Sequence, residues 1–152
     1  MTTTQHDFTI VRTYPYSPQQ VFAAWAEPEK RRLWFGNSPG LTVIANDMDI
    51  REGGRDHAES RHERGVTTTF DSEYHRVIPG EQVVYSYTMT LDGKPLSATL
   101  ACVTFEAADG GTLLTLTEHG VYYGPMEHAE MREQGTRQLL ETMGGVLDSL
   151  HQ

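Results

Sequence analysis

The sequence predicts an α+β domain in which a curved antiparallel sheet wraps around a long C-terminal helix, with two short helices after the first strand. Between Leu41 and His119, apolar and polar residues alternate with the period of two that is typical of strands. Short turns rich in Gly, Pro and Asp separate these segments, so successive strands should pair as antiparallel hairpins. After Gly124-Pro125 the apolar spacing changes to three and four residues, which indicates a helix.

The first elements are a strand and two short helices. Phe8–Tyr14 alternates and is rich in β-branched residues, which predicts a strand. The segment Ser17-Pro18-Gln19-Gln20 places serine at the N-cap, proline at the first helical position and glutamine at the third, a capping-box start. Pro28 should begin a second short helix that ends near Phe35-Gly36-Asn37.

Six further strands are predicted, at Leu41–Asp49, Arg55–His62, Val66–Ile78, Gln82–Thr90, Ala98–Glu106 and Thr112–His119. Each of the last three places its apolar residues on one face, at Val83, Tyr85, Tyr87 and Met89, at Ala101, Val103 and Phe105, and at Leu114 and Leu116. The other face carries mainly Ser and Thr, as expected of a sheet that contacts water on one side.

The C-terminal helix is predicted from Met126 to Leu150, roughly 37 Å at 1.5 Å per residue, which is long enough to cross the sheet. Its apolar stripe comprises Met131, Gly135, Leu139, Met143, Val146 and Leu150. Glycine inside a helix costs up to about 1 kcal/mol relative to alanine. Gly135 therefore indicates either a close approach of helix and sheet or an open space beside the helix. With no linker or repeat, residues 1–152 form one expected domain.

The charge and the termini exclude several classes of protein. A formal net charge of -9 argues against a nucleic-acid partner. The one basic run, Lys30-Arg31-Arg32, is interpreted as the solvated face of a short helix, with a docking patch for a protein as the alternative. Cys102 is the only cysteine and is expected to be packed and inert. The N-terminus does not resemble a signal peptide, and no stretch approaches the ~20 apolar residues of a membrane span, so a cytoplasmic location is expected.

No catalytic, metal or cofactor motif is recognised. The residues His119, Glu127, His128 and Glu130 lack the tight spacing of metal ligands and are interpreted as surface residues. His57 and His62 should point to opposite faces of one strand, because they are five residues apart. Acid–base chemistry or simple solvent exposure could each account for a group of polar residues on the strands, Asp47, Asp49, Asp71, Glu73 and His75. Solvent exposure is the preferred interpretation.

Several segments together resemble a known family. They are Tyr14–Glu29 with its Trp25-Ala26-Glu27-Pro28, Trp34-Phe35-Gly36, Asp49–Arg55, Pro79–Tyr85, and Val103-Thr104-Phe105 followed by Gly110–Thr117. In this order they are similar to the activator of heat-shock-protein ATPase homologue (Aha-type) family, within the START-like (SRPBCC) superfamily. The resemblance covers nearly the whole chain. It departs from the family at Phe35, where a second Trp is usual, and at Gly135-Thr136, where Gly-Trp is frequent.

The resemblance implies the helix-grip (START-like/Bet v-like) fold, with a cavity between the long helix and the sheet. Such cavities commonly hold lipids, polyketides or other apolar molecules, so we expect an apolar or amphipathic small-molecule ligand and no cofactor. The residues expected to bind it are Trp34, Phe35, Phe70, Tyr85, Tyr87, Met89, Val103, Met131, Gly135 and Leu139.

Two alternatives stay open at this point. One is a co-chaperone-like module that binds a chaperone or another protein, with Lys30, Arg31 and Arg32 as its first candidate contacts. The other is a cyclase- or hydrolase-like enzyme in the same cavity, which requires a titratable group there. The family pattern supplies no catalytic residue that this sequence matches. A homodimer through exposed strand or helix surfaces is also compatible with the sequence.

Overall fold

The computed structural model describes residues 2–36 and 38–152. The chain forms seven strands and three helices in that range: β1 (Thr4–Tyr14), α1 (Pro18–Ala26), α2 (Pro28–Arg31), β2 (Leu41–Asp47), β3 (Arg55–His62), β4 (Thr67–Ile78), β5 (Gln82–Leu91), β6 (Lys94–Ala108), β7 (Gly111–Tyr122) and α3 (Met126–Leu150). None of these helices is both long and apolar enough to cross a bilayer.

The strands form one antiparallel sheet in the order β1-β7-β6-β5-β4-β3-β2. Strands β2 to β7 follow one another as a meander, since short turns allow only neighbouring antiparallel strands to pair. The first strand, β1, forms the edge of the sheet beside β7, where Ile10 lies opposite Leu116. The predicted helix-grip fold is therefore confirmed.

Residues that face each other across neighbouring strands project from the same side of the sheet. Tyr74 lies opposite Tyr85, Tyr85 opposite Ala101, and Ala101 opposite Glu118. We call this side the inner face. The helix α3 covers it, and its residues Leu140, Met143 and Leu147 are almost fully buried.

The element boundaries differ from the prediction mainly where polar residues pair through the backbone. β1 begins at Thr4, which lies opposite Tyr122, and β6 begins at Lys94, which lies opposite Leu91. Apolar alternation does not mark such ends, because ladder hydrogen bonds require no apolar side chain. β2 ends at Asp47, two residues before its predicted end at Asp49. The Asp49 N–H donates to a side chain, Oδ1 of Asp56, at 3.1 Å.

The two short helices follow the turn chemistry of the sequence. The capping box is confirmed: the Gln20 N–H donates to Ser17 Oγ at 3.1 Å, and the Ser17 N–H donates to Gln20 Oε1 at 2.9 Å. The second helix, α2, is shorter than predicted and ends at Arg31. Of its predicted end at Phe35-Gly36-Asn37, Asn37 lies outside the described residues.

The predicted apolar stripe of α3 is partly wrong. Met131 is 71% exposed and Leu150 is 39% exposed. Met143 is on the buried side as predicted, together with Ala129, Leu140 and Leu147, which the predicted stripe did not include. Spacing alone could not separate these two overlapping stripes, because both recur at three and four residues.

A buried hydrogen bond ties the end of the first strand to the helix. The Tyr14 hydroxyl donates to the carbonyl oxygen of Leu140 at 2.8 Å, and burial raises the pKa of this phenol well above its ordinary value. The Tyr16 hydroxyl makes a comparable bond at the surface, to Oδ1 of Asp148 at 2.5 Å.

We expect Tyr14→Phe to lower the free energy of unfolding by about 1 kcal/mol, because it removes a buried hydrogen bond without removing the ring. Tyr16→Phe is the matched control and should change stability by less than about 0.5 kcal/mol, since its bond is solvent-exposed. Urea denaturation monitored by circular dichroism measures both. Equal losses in the free energy of unfolding for the two variants would contradict a stabilising hydrogen bond between Tyr14 and α3.

Candidate functional site

A cavity of about 610 Å³ lies between the inner face and α3. Ligand sites in proteins typically measure about 300–1,000 Å³ and are mostly apolar, with a few polar groups. The walls come from strands β2 to β7, from α1 and the segment around α2, and from α3 between His128 and Leu140.

Most of the residues predicted to bind a ligand line this cavity. They are Trp34, Phe35, Phe70, Tyr85, Tyr87, Met89, Met131, Gly135 and Leu139. That they bind a ligand stays a prediction. Met131 contributes to the wall although its side chain is largely exposed, which places it where the cavity meets solvent.

Val103 is outside the cavity wall, contrary to the prediction. It faces inward but is fully buried, between Val83 and Leu116 on the neighbouring strands. Two residues along β6, Phe105 packs edge-on against Phe22 of α1, with ring centroids 5.4 Å apart. Helix α1 therefore covers this end of β6, and Val103 belongs to the core.

Gly135 lies beside open space. No atom lies within 4 Å of the position that a Cβ would occupy there, apart from its chain neighbours and the helix's own backbone. Of the two interpretations of this glycine, the open space is confirmed and the close approach is wrong.

One wall of the cavity is a chain of aromatic rings. Phe35 follows α2 and meets Phe70 of β4 at a centroid distance of 4.9 Å. Phe70 in turn lies 4.7 Å from Tyr87 of β5, and Tyr87 stacks on Tyr85 at 6.0 Å. These rings offer a continuous apolar surface from the α2 side of the cavity to the centre of the sheet.

Arg31 corrects the interpretation of the basic run as solvated. Its side chain is only 2% exposed, and it lines the cavity. The guanidinium carbon lies 4.5 Å from the ring centroid of Phe35, 5.0 Å from that of Trp25 and 5.4 Å from that of Trp34. We call these three rings the aromatic cage. Its neighbours in the run, Lys30 and Arg32, are partly or largely exposed.

The sequence did contain a signal for this inward orientation. Trp34 and Phe35 follow Arg31 by three and four residues, which is the spacing of side chains on one side of a helical turn. Charge runs on short helices usually face water, and for that reason the run was interpreted as solvated despite this spacing.

A second polar group, centred on Glu118, was missed altogether. The Glu118 side chain lines the cavity and is 2% exposed. Its Oε1 accepts a hydrogen bond from the Tyr87 hydroxyl at 2.6 Å. Nη1 of Arg132 donates to the same hydroxyl at 3.3 Å, and Nη2 donates to Ser97 Oγ at 2.9 Å. The sequence indicates this position, because Leu114, Leu116 and Glu118 follow one another at intervals of two residues and therefore project from the same face of the strand.

Burial sets the protonation chemistry of this group. Removal from water raises the pKa of the Glu118 carboxyl above its ordinary 4.5, and the Tyr87 hydrogen bond and the Arg132 charge offset part of that rise. Burial, followed by the charge of Glu118, raises the pKa of the Tyr87 phenol far above its ordinary value. The cavity thus contains a carboxyl group whose pKa lies above its ordinary value.

His57 and His62 lie on opposite faces of β3, as their spacing of five residues predicts. His62 lines the cavity, whereas His57 lies on the outer face, where its Nδ1 bonds with Asp71 Oδ1 at 2.6 Å. That hydrogen bond raises the pKa of His57. Within residues 2–36 and 38–152, no three His, Cys, Asp or Glu side chains are grouped as metal ligands.

We expect Glu118→Gln to become progressively more stable than the unmodified protein as the pH rises from about 4.5. Between its unfolded and folded pKa values, Glu118 binds more protons in the folded state. Its contribution to stability is therefore complete below the unfolded pKa and falls as the pH rises through the folded pKa. Urea denaturation between about pH 3 and about pH 8, a range that extends below as well as above the ordinary carboxyl pKa, measures the difference.

The control is Glu133→Gln. The hydrogen bond from His6, and then that from Arg137, lower the pKa of Glu133, so this carboxylate stabilises the fold above its unfolded pKa and loses that effect as the pH falls. The difference between Glu133→Gln and the unmodified protein should therefore have the opposite sign of slope. Parallel profiles for the two variants would disprove a burial-raised pKa at Glu118.

Comparisons with known proteins extend this description. Residues 15–148 match the family described as Activator of Hsp90 ATPase homolog 1-like protein. A search of curated proteins finds no significant match.

Solved structures with the same fold include close relatives. The Mll3558 protein from Rhizobium loti shares 33% identity at a TM-score of 0.88, over 96% of this chain and 99% of that one. An uncharacterized protein from Rhizobium leguminosarum shares 29% identity at a TM-score of 0.91, over 97% of both chains. Protein CV1439 from Chromobacterium violaceum, at 22% identity and a TM-score of 0.75 over 93% and 96%, shares the fold. On its sequence match and on its fold, this chain belongs to the Activator of Hsp90 ATPase homolog 1-like family of START-like domains.

Proposed function

We propose that this domain binds an apolar or amphipathic small molecule in the cavity between α3 and the inner face. The observation that carries the proposal is a space of about 610 Å³ that Gly135 keeps open beside a wall of aromatic rings. The space opens to solvent near Met131, and concave, mostly apolar spaces of about 300–1,000 Å³ are typical of small-molecule sites. A space of this size therefore supports occupation by a ligand.

The polar groups of the cavity favour an amphipathic ligand over a purely apolar one. Arg31 stands in the aromatic cage at the α2 side of the cavity, and Glu118 with Arg132 stands farther along the sheet. Apolar walls with a few placed polar groups are the usual composition of a site that orients one end of its ligand.

Glu118 supports a second candidate function, an acid–base reaction on the bound molecule. The enzyme alternative requires a titratable group inside the cavity, and this carboxyl group with a raised pKa provides one. The protein-interaction alternative gains less from the basic run, because Arg31 is buried and only Lys30 and Arg32 are accessible to a partner.

The first test fills the space at Gly135. We expect Gly135→Leu to weaken binding of the neutral fluorescent probe N-phenyl-1-naphthylamine by more than about tenfold, which corresponds to about 1.4 kcal/mol. The physical reason is that the leucine side chain would occupy the space that the probe needs. Fluorescence titration of the probe gives both dissociation constants.

Gly145→Leu is the matched control, because Gly145 also lies in α3 with no atom near its Cβ position but is exposed to solvent. It should leave probe binding unchanged. Absence of saturable probe binding, or equal effects of the two variants when both are folded, would count against a ligand at this location.

A further inference from the structure

We propose that the ligand of this cavity is a monoanion, an apolar body that carries one carboxylate, and that Arg31 binds the carboxylate. This inference rests on the proposed function and names the chemical class of its ligand.

The first argument is that Arg31 is a buried cation with no carboxylate at salt-bridge distance. No salt bridge in the described part of the chain involves Arg31. Its Nη1 donates a long hydrogen bond of 3.4 Å to the Trp25 carbonyl oxygen. Its Nε is buried and has no acceptor. A buried charged donor without an acceptor is costly, and an anion in the cavity would remove that cost.

The aromatic cage explains the position of the guanidinium but does not neutralise its charge. Cation–π contacts stabilise a guanidinium over the faces of the rings but supply no hydrogen-bond acceptor in the plane of the group. Three rings around one guanidinium therefore fix its plane and restrict its rotamers. A fixed guanidinium with an unused N–H is suited to a planar carboxylate, which accepts two parallel hydrogen bonds from such a fork.

The other arginine of the cavity differs from Arg31. Arg132 reaches a carboxylate through one intervening group, because both Arg132 and Glu118 bond with the Tyr87 hydroxyl. Its Nη2 donates to Ser97 Oγ at 2.9 Å. Arg132 is therefore engaged in hydrogen bonds within the protein, whereas Arg31 makes one long hydrogen bond and has an Nε–H without an acceptor.

The balance of charge favours a carboxylate over a doubly charged phosphate. One guanidinium compensates one negative charge, and a dianion would leave a second charge in an apolar cavity. The apolar body would lie on the ring chain that begins at Phe35, 4.5 Å from the Arg31 guanidinium, and continues through Phe70 to Tyr87.

The test compares two molecules of the same chain length, decanoate and 1-decanol, as competitors of N-phenyl-1-naphthylamine. We expect decanoate to bind at least about tenfold more tightly than 1-decanol to the unmodified protein. Arg31→Met keeps an apolar stem but removes the guanidinium, and it should abolish this preference, measured as the ratio of the two affinities. Arg32→Met removes the same charge from the exposed neighbouring residue and should retain the preference.

The outcomes separate the two proposals. If neither competitor displaces the probe, or if the probe does not bind, the proposed function is wrong. If both competitors bind with equal affinity, the proposed function is supported and the carboxylate assignment is overturned. If Arg31→Met is folded and keeps the preference for decanoate, the carboxylate binds elsewhere and Arg31 has no such role.

A measurement on the unmodified protein covers the case in which Arg31→Met does not fold. In ¹⁵N-edited NMR spectra, the Nε–H resonance of Arg31 is identified by its NOEs to the Trp25 and Trp34 rings. Decanoate should shift this resonance and 1-decanol should not. A resonance that responds equally to both molecules, or to neither, would refute the assignment.

Discussion

Helix α3 packs closely on the inner face along only part of its length, and the position of the cavity depends on this uneven contact. Towards its C-terminal end, Leu140, Met143 and Leu147 are almost completely buried, and Tyr14 bonds with the Leu140 carbonyl oxygen. One turn or more towards the N-terminus, no side-chain atom lies within 4 Å of the position that a Cβ would occupy at Gly135. The buried residues hold the helix in place and carry the stability of the contact. The glycine therefore opens a space without releasing the helix from the sheet.

Two polar groups inside this space work against stability. Arg31 is enclosed by the rings of Trp25, Trp34 and Phe35, and Glu118 is buried beneath α3 beside Tyr87. Apolar residues of similar size would fill these positions at lower cost, since buried charges lose their hydration. Departures from the most stable arrangement are typical of functional sites. Arg31 and Glu118 belong to one cavity, because they line it at opposite ends of the aromatic wall.

The sequence predicted the fold well because its signals are local and redundant. The β5 stripe of Val83, Tyr85 and Tyr87 alternates over enough residues to define a strand and its inward face. The bounds of α3 followed from Gly124-Pro125 and from the sustained helical spacing, and the structure places that helix at Met126–Leu150 as predicted.

The candidate site was less predictable because it depends on which inward-facing residues meet empty space. Val103 and Tyr85 have the same inward parity, yet α1 covers the sheet beside Val103 while the cavity lies over Tyr85. Periodicity specifies the face of a strand and cannot specify what lies opposite it. Arg31 and Glu118 were missed because their charge suggested exposure, whereas tertiary packing decided their burial. In both cases the spacing to neighbouring apolar residues was the more reliable signal.

The most direct measurement is a crystal structure of the protein grown with decanoate. We expect a carboxylate oxygen to lie within about 3.2 Å of the Arg31 guanidinium nitrogens. The alkyl chain should lie between Phe70 and Gly135. A structure in which side chains fill the space beside Gly135, or in which the carboxylate points to solvent near Met131, would contradict this expectation.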